Sequence, residues 1–548
     1  MSLFVQPGLE TRKQKRAEPI LQCLIALTLT LPWLNPFAGG PSPAVVPWLV
    51  SLACLCIFLL LTFERRVDVV AVSFWTWLAA AVLSSALGLL QYFGASATFS
   101  PWINSTQVGE AFANLRQRNQ FATLTNIGIA ALLWWVGCNR RPPRASDARM
   151  PKPPKNRAFE LHMVWPIVAA ILLAAGNAAS SSRTGMIQLV LLCIAVPLWR
   201  GFRDPWVVRV LIAAGLGYAA AAFALPRLAG LDPTATGILA RLHDSGPACG
   251  SRLTLWSNVL DLIAQKPWSG WGWGELVYAH FTTLYPGARF CEILDNAHNL
   301  PLHLAVVLGV PVAVLVCGLG LSLVWRSRPW RETDPTRQMA WAVLAVIMLH
   351  SMLEYPLWYG PFQIAAGLCI WILSSTRAIV PDDADGGAVM QPQVGGPNRT
   401  QSSSLAKTIA GCTAVLLLAG VAYTAWDYHR ISQIYLPPDM RAPAYRENTM
   451  AKISGSWLFR RQVRFADLTM TGVTAENAVR INAVAHDLLH FSPEARVVEK
   501  LIDSALMLGR DEEALFYLAR YRAAFPSEYA RWVETRGPSA AVHLPALK

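Results

Sequence analysis

Charge is scarce in this chain of 548 residues: only 15% are Asp, Glu, Lys or Arg, against about 25% in an ordinary soluble domain. Acids are scarcer than bases, 34 against 47. With so few charges and so many apolar residues the chain is not intrinsically disordered, because it has ample apolar surface to bury. Ten cysteines spread over 548 residues are too sparse for a secreted disulfide scaffold. No pair of Cys/His clusters has zinc spacing and no H-E-x-x-H occurs, so neither a metal nor a cofactor is expected.

Apolar residues are abundant, at 54%, with 22 Trp and a mean hydropathy of +0.35. This composition reads as an all-α polytopic membrane protein whose aromatics can sit at the two water interfaces. About eleven apolar runs are long enough to cross a hydrocarbon core of about 30 Å. They centre on 19–35, 44–63, 68–90, 120–137, 161–178, 184–199, 206–224, 300–325, 338–353, 360–376 and 406–426. The first follows Arg12, Lys13, Lys15 and Arg16 without a clean small-x-small cleavage site, and reads as a retained span.

The net charge of +13 does not point to nucleic acid, because the basic residues fall in short stretches between the apolar runs. With a cytoplasmic start, every second loop is expected to be basic. Loops 64–67, 138–160, 200–206 and 325–337 are; the second holds seven Lys/Arg against two acids. Loops 91–118, 226–299 and 354–359 then lie outside. The organisation expected is a basic N-terminus (1–18), seven spans (19–225), a long outer loop (226–299), three spans (300–376), a Gly/Pro/Ser-rich inner linker (377–405), a last span (406–426) and an outer tail (427–548). Apolar residues three and four apart in ENAVRINAVAHDLLHF and VVEKLIDSALMLGRDEEALFYLARYRAAFP make the tail helical. Its stretch 506–526 resembles a single tetratricopeptide-like hairpin, so a small helical domain leaning on the membrane part is expected.

Eight cysteines lie in or beside spans, where Cys is a small apolar residue. Cys249 and Cys291 both fall in the long outer loop and are expected to pair in an oxidising compartment.

Charged residues in or beside spans are costly and are functional candidates. Arg183 in NAASSSRTG, Arg252 in CGSRLTLW, His298 in LDNAHNLPLH, and Glu354 with Tyr355 in HSMLEYPLWY all reach the outer face from separate parts of the chain. Two guanidinium forks suit a phosphate or diphosphate. A histidine suits proton transfer from an attacking hydroxyl. The segment KPWSGWGWGEL, with Gly270, Gly272 and Gly274, lacks the Lys-Ser/Thr of a P-loop and reads as a close-packed turn supporting the loop. His303 reads as a packing or interfacial residue.

SRLTLWSNVLDLIAQKPWSGWGWGEL followed by DNAHNLPLHLAVVLGVP resembles the shared core of the bacterial O-antigen ligase and polymerase superfamily. RQRNQFATLTNIGIAALLW, the SSSRTG span and HSMLEYPLWYGPF resemble its branch of O-linked protein oligosaccharyltransferases, the pilin and general protein glycosylation enzymes. The resemblance covers residues 20–430 and extends to the tail. It implies that His298 is the essential His of the periplasmic loop, that Arg252 and Arg183 hold a lipid diphosphate, and that Tyr355 is the Tyr of an E-Y-P motif. Glu354 is added on chemical grounds, as a partner for an Arg or for the acceptor. The implied reaction is metal-independent transfer of a glycan from undecaprenyl diphosphate to Ser/Thr of a pilin or other periplasmic protein. It would proceed with inversion, at the periplasmic face of the bacterial inner membrane. A lipid A core acceptor (ligase) or a second lipid-linked glycan (polymerase) stays open; a lipid-linked glycan transporter would want ionisable residues at the bilayer midplane and an internal repeat.

Overall fold

The computed structural model describes residues 14–63, 68–139, 164–199, 204–243, 248–376 and 404–536. Among them no strand occurs. The basic loops 64–67, 138–160 and 200–206 and the linker 377–405 lie wholly or largely outside the described residues.

In chain order the membrane part begins with α1 (Gln14–Leu34), α2 (Val45–Phe63), α3 (Val69–Tyr92), α4 (Arg118–Asn139), α5 (Val164–Ala179), α6 (Arg183–Leu198) and α7 (Pro205–Leu228). The long loop carries α8 (Gly237–His243), α9 (Arg252–Gln265) and α10 (Leu276–Thr282). Then follow α11 (Leu300–Leu308), α12 (Val310–Ser327), α13 (Pro335–Ser351), α14 (Gly360–Ser375) and α15 (Ser404–Ser432). The tail adds α16 (Thr449–Ile453), α17 (Arg460–Met470), α18 (Ala478–Leu489), α19 (Ala495–Met507), α20 (Asp511–Ala524) and α21 (Pro526–Arg536).

Helices start where the sequence supplies a side-chain acceptor for the first free backbone N–H groups. Asp68, Ser182, Asp204, Ser251, Asn299 and Asp334 cap α3, α6, α7, α9, α11 and α13 in this way. Among the described residues six helices are long and apolar enough to cross a membrane: Val45–Thr62, Val69–Tyr92, Arg118–Cys138, Pro205–Leu228, Val310–Arg331 and Thr408–Tyr435. Pro19–Leu34, Val164–Ala179, Arg183–Leu198 and Gly360–Ser375 are apolar but shorter. The chain is thus a helical, multi-pass membrane protein.

The bundle packs as membrane helices do, through small residues and interhelical hydrogen bonds. A side chain at Gly88 would meet Phe121 on α4, and one at Gly128 would meet Ala81 on α3. Gln188 of α6 donates to the Val346 carbonyl of α13 at 2.9 Å and to Thr123 of α4 at 3.0 Å, and Thr123 also lies 2.9 Å from His350 Nδ1. These bonds lock α4, α6 and α13 side by side, which matters because the starts of α4 and α6 and the end of α13 carry the polar cluster described below.

The run expected as one span at 300–325 is two helices, broken at Gly309. Gly309 has φ +89°, and a Cβ there would lie 2.2 Å from the Trp268 carbonyl oxygen. The broken helix frees backbone groups, and the glycine-rich turn takes them: Trp271 and Gly272 donate to the Val306 and Val307 carbonyls at 2.9 and 3.0 Å, and Val310 donates to Pro267 O at 2.8 Å. The close approach needs Gly270 too, whose Cβ would sit 2.5 Å from Val307. KPWSGWGWGEL is therefore a packed turn.

The last membrane helix continues to Ser432, past the expected boundary at 426. In the tail α19 and α20 form a hairpin turning at Gly509, φ +69°. Phe281 of α10 enters the core built by α17 to α21. His490 Nδ1 lies 2.6 Å from Glu275 Oε2, and Arg520 donates to Thr282 O at 2.7 Å. The tail thus docks on the long loop.

Candidate functional site

The long loop is organised around α9. Cys249 and Cys291 are joined by a disulfide with Cα atoms 5.3 Å apart. Asn258 of α9 donates to Ala288 O at 2.9 Å and accepts from Phe290 N at 2.8 Å; Trp256 Nε1 donates to Ala297 O at 3.1 Å. Segment 288–297 therefore runs along α9, and Arg252, in the first turn after the Ser251 cap, comes beside residue 298. His280, which burial and neighbouring Arg289 push down to about 3, is a neutral brace: its two ring nitrogens bond Tyr285 OH at 2.8 Å and Phe290 O at 3.1 Å.

His298 has φ +50°, in the left-handed region that few non-glycine residues adopt. It is held there from both sides. Its N–H donates to Asn296 Oδ1 at 3.0 Å, and Asn299 both caps α11 and donates to Met352 O at 3.0 Å, tying the turn to the end of α13. The imidazole then meets a residue just past that helix: His298 Nδ1 lies 2.6 Å from Glu354 Oε2. The other carboxylate oxygen, Oε1, accepts from Arg252 Nη2 and, at 3.2 Å, from Asn119 Nδ2.

Glu354 is buried, 8% exposed. Burial alone would raise its carboxyl pKa, but the His298 hydrogen bond and the His298 and Arg252 charges outweigh it and hold the group below its ordinary value. With Nδ1 engaged, Nε2 is the ring nitrogen left to meet a reacting group. Tyr355 places its ring edge-on at 4.9 Å from His298 and stacks on Tyr359 at 5.8 Å. Burial, with Tyr359 and the nearby carboxylates, pushes the Tyr355 phenol up, so it stays protonated as a hydrogen-bond donor.

The structure thus brings His298, Glu354, Arg252 and Tyr355 into one cluster. Arg183 is joined to it indirectly: exposed at the start of α6, it has no ion-pair partner among the described residues. Ser182, its neighbour and the helix cap, donates to Asn119 Oδ1 at 2.6 Å, so Asn119 connects the α6 start to Glu354. Arg241 of α8 donates to Ser181 O at 3.2 Å beside it. Asn119 and Gln120 stand in RQRNQFATLTNIGIAALLW, where their signal is an uncharged polar pair at the start of an otherwise apolar helix, α4. Gln120 hydrogen-bonds Tyr359.

A multi-pass helical membrane protein with a His–Glu–Arg–Tyr cluster at the ends of its helices defines the class. Three family models match in chain order: "Protein glycosylation ligase" at 111–136, "O-Antigen ligase" at 168–317 and "Virulence factor membrane-bound polymerase, C-terminal" at 338–538. A general O-oligosaccharyltransferase of Acinetobacter baylyi is 23% identical over 312 residues, 56% of this chain and 50% of that protein. A ComP-specific O-oligosaccharyltransferase of the same organism is 25% identical over 273 residues, 49% of this chain and 45% of that protein. The chain is thus similar, segment by segment, to O-antigen ligase and protein glycosylation ligase families and to O-oligosaccharyltransferases. It spans about half the length of the curated relatives it matches. No solved structure matches it.

Proposed function

We propose that this protein transfers a glycan from undecaprenyl diphosphate to Ser or Thr hydroxyls of periplasmic proteins, pilins among them. Transfer takes place at the periplasmic face of the bacterial inner membrane, which the chain crosses about eleven times. The observation that carries this reading is the convergence at Glu354. The three matched segments separately contribute Asn119, then Arg252 and His298, then Glu354 to one hydrogen-bonded cluster, with the Tyr355 ring edge-on to His298.

In the proposed reaction the acceptor hydroxyl gives its proton to His298 Nε2 as its oxygen bonds to the anomeric carbon. The anomeric C–O bond to the diphosphate breaks, and undecaprenyl diphosphate leaves with the electron pair. Glu354, accepting from Nδ1–H, fixes the tautomer and stabilises the imidazolium, the role a buried carboxylate plays beside a general-base histidine. Arg252 and Arg183 hold the diphosphate and offset the charge that develops on it. Arg183, exposed and without an ion pair among the described residues, is placed to take such an anion. Tyr355 positions donor or acceptor as a neutral donor. A single displacement inverts the anomeric carbon.

A lipid A core or lipid-linked glycan acceptor is the second reading, favoured by the O-antigen ligase and polymerase descriptions of two matching segments. The test is intact-mass spectrometry of periplasmic proteins, with lipopolysaccharide gels, from cells that make an undecaprenyl-linked glycan. Wild-type protein should add a glycan mass to Ser/Thr peptides, and His298→Ala should abolish it. Unmodified proteins with glycan gained by lipid A core, or with lengthened chains, would move the assignment to ligase or polymerase.

A further inference from the structure

Next to the His298 cluster lie two indole rings that the transfer chemistry leaves unused. Trp273 and Trp358 have planes 6° apart and centroids 6.0 Å apart, an offset stack that leaves ring faces uncovered. Trp358 ends the short turn that begins after Tyr355. Trp273 comes from the glycine-rich turn, between Gly272 at φ +109° and Gly274 at φ +83°. His303 sets its ring perpendicular to both, 5.0 Å from Trp358 and 6.1 Å from Trp273. The same His303 accepts from the backbone N–H of Ala297 through Nδ1 at 3.4 Å, one residue before His298. One set of contacts therefore holds both the indole pair and the turn that carries His298.

Trp273 is 65% exposed. Its backbone is pinned at Gly272, whose N–H donates to Val307 O at 3.0 Å, and with one ring stacked beside it and one set edge-on it presents a large flat face to solvent. An indole at a water–lipid boundary is often an anchor, but an anchor needs neither a rigid ring plane nor proximity to the reacting groups.

We propose that Trp273 and Trp358 form a sugar platform, on which a pyranose ring of the donor glycan lies with its C–H face against the indoles. The electron-rich ring face attracts the partial positive charge of axial C–H bonds. A ring already immobilised loses little freedom when a sugar settles on it. The platform rests on the glycan-transfer reading above: it assigns the carbohydrate part of that substrate to named side chains, whereas the arginines take the diphosphate.

The test uses the full chain in lipid nanodiscs, titrated with undecaprenyl diphosphate carrying a disaccharide and with bare undecaprenyl diphosphate. Wild-type protein should prefer the glycosylated lipid by about threefold to tenfold, the range of one aromatic contact. Trp273→Leu should erase that preference and leave affinity for the bare lipid unchanged, while Trp273→Tyr should keep most of it. Trp358→Leu provides the same comparison should Trp273→Leu not fold. A leucine variant that folds and retains the full preference overturns the platform and makes the indole an interface anchor. Wild-type protein that transfers glycan without any such preference also overturns it, and leaves the transfer reading intact. Wild-type protein that binds neither lipid and transfers nothing overturns both.

Discussion

Glu354 Oε2 lies 2.6 Å from His298 Nδ1 while Oε1 of the same carboxylate accepts from Arg252. One buried acid therefore orients a histidine and an arginine that stand 46 residues apart in sequence. The pairing gives Glu354 a sharper role than charge balance. Replacing it by Gln keeps the shape and removes the charge that fixes the tautomer and stabilises a protonated ring. Turnover of Glu354→Gln should fall by about 10²- to 10⁴-fold, the effect typical of a lost general-base partner, measured by glycan transfer to an acceptor peptide. Near-normal turnover would remove Glu354 from the mechanism.

The same carboxylate makes stability depend on pH. Its pKa is held below the ordinary value in the folded protein, so the unfolded chain binds its proton first. The stabilisation is then present above the unfolded value, about 4.3 for Glu, and is lost as pH falls through the folded value. Wild type should melt above Glu354→Gln at neutral pH, and the gap should close only below pH about 4. A gap independent of pH would show that charge is not what holds Glu354.

Asn119 hydrogen-bonds Glu354 and Ser182, and under the proposed mechanism it is a positioning residue that acts through Glu354. Asn119→Ala should lower kcat by about tenfold or more, as small misplacements of catalytic groups do, with acceptor KM nearly unchanged. Ser182→Ala removes only the far half of the connection and should cost less. Equal loss of kcat and melting temperature in both, with no order between them, would make Asn119 a packing residue only.

The Cys249–Cys291 bond closes a stretch of 42 residues and fastens α9 to the segment leading to His298. Reduction, or Cys249→Ala, should destabilise the loop by about 2–4 kcal/mol. The check is a shift in non-reducing gel mobility after thiol blocking, with a lower melting temperature. Unchanged mobility would mean the two thiols are free.

Gly309→Ala puts a methyl 2.2 Å from the Trp268 carbonyl oxygen at a backbone angle of φ +89°. Backbone cannot yield as a flexible side chain can, so folded yield should drop sharply, while Gly318→Ala, with open space around it, should be neutral. Comparable yields would mean that the turn is free to separate from the helix break.

Sequence alone determined the apolar runs and their helical state, and it supplied the expectation that basic loops alternate between the two sides. These are local properties: run length, capping residues and charge per loop are read without knowing any neighbour in space. Arg252, His298 and Glu354 were legible because an ionisable group at a span's edge stands out wherever the chain later goes, and Tyr355 only through the E-Y-P motif of the resemblance. What only the tertiary structure decided is how they meet. Glu354 was expected as a partner for an arginine or the acceptor, yet it also engages His298, and Arg183 reaches the cluster only through Ser182 and Asn119. The break at Gly309 was equally hidden, because an apolar run reads as one helix until another segment supplies donors for the freed carbonyls. Asn119 and the Trp273–Trp358 stack share that reason. A neutral polar or aromatic residue carries no cost that marks it in sequence, and its meaning comes from the partner that the packed helices bring within reach.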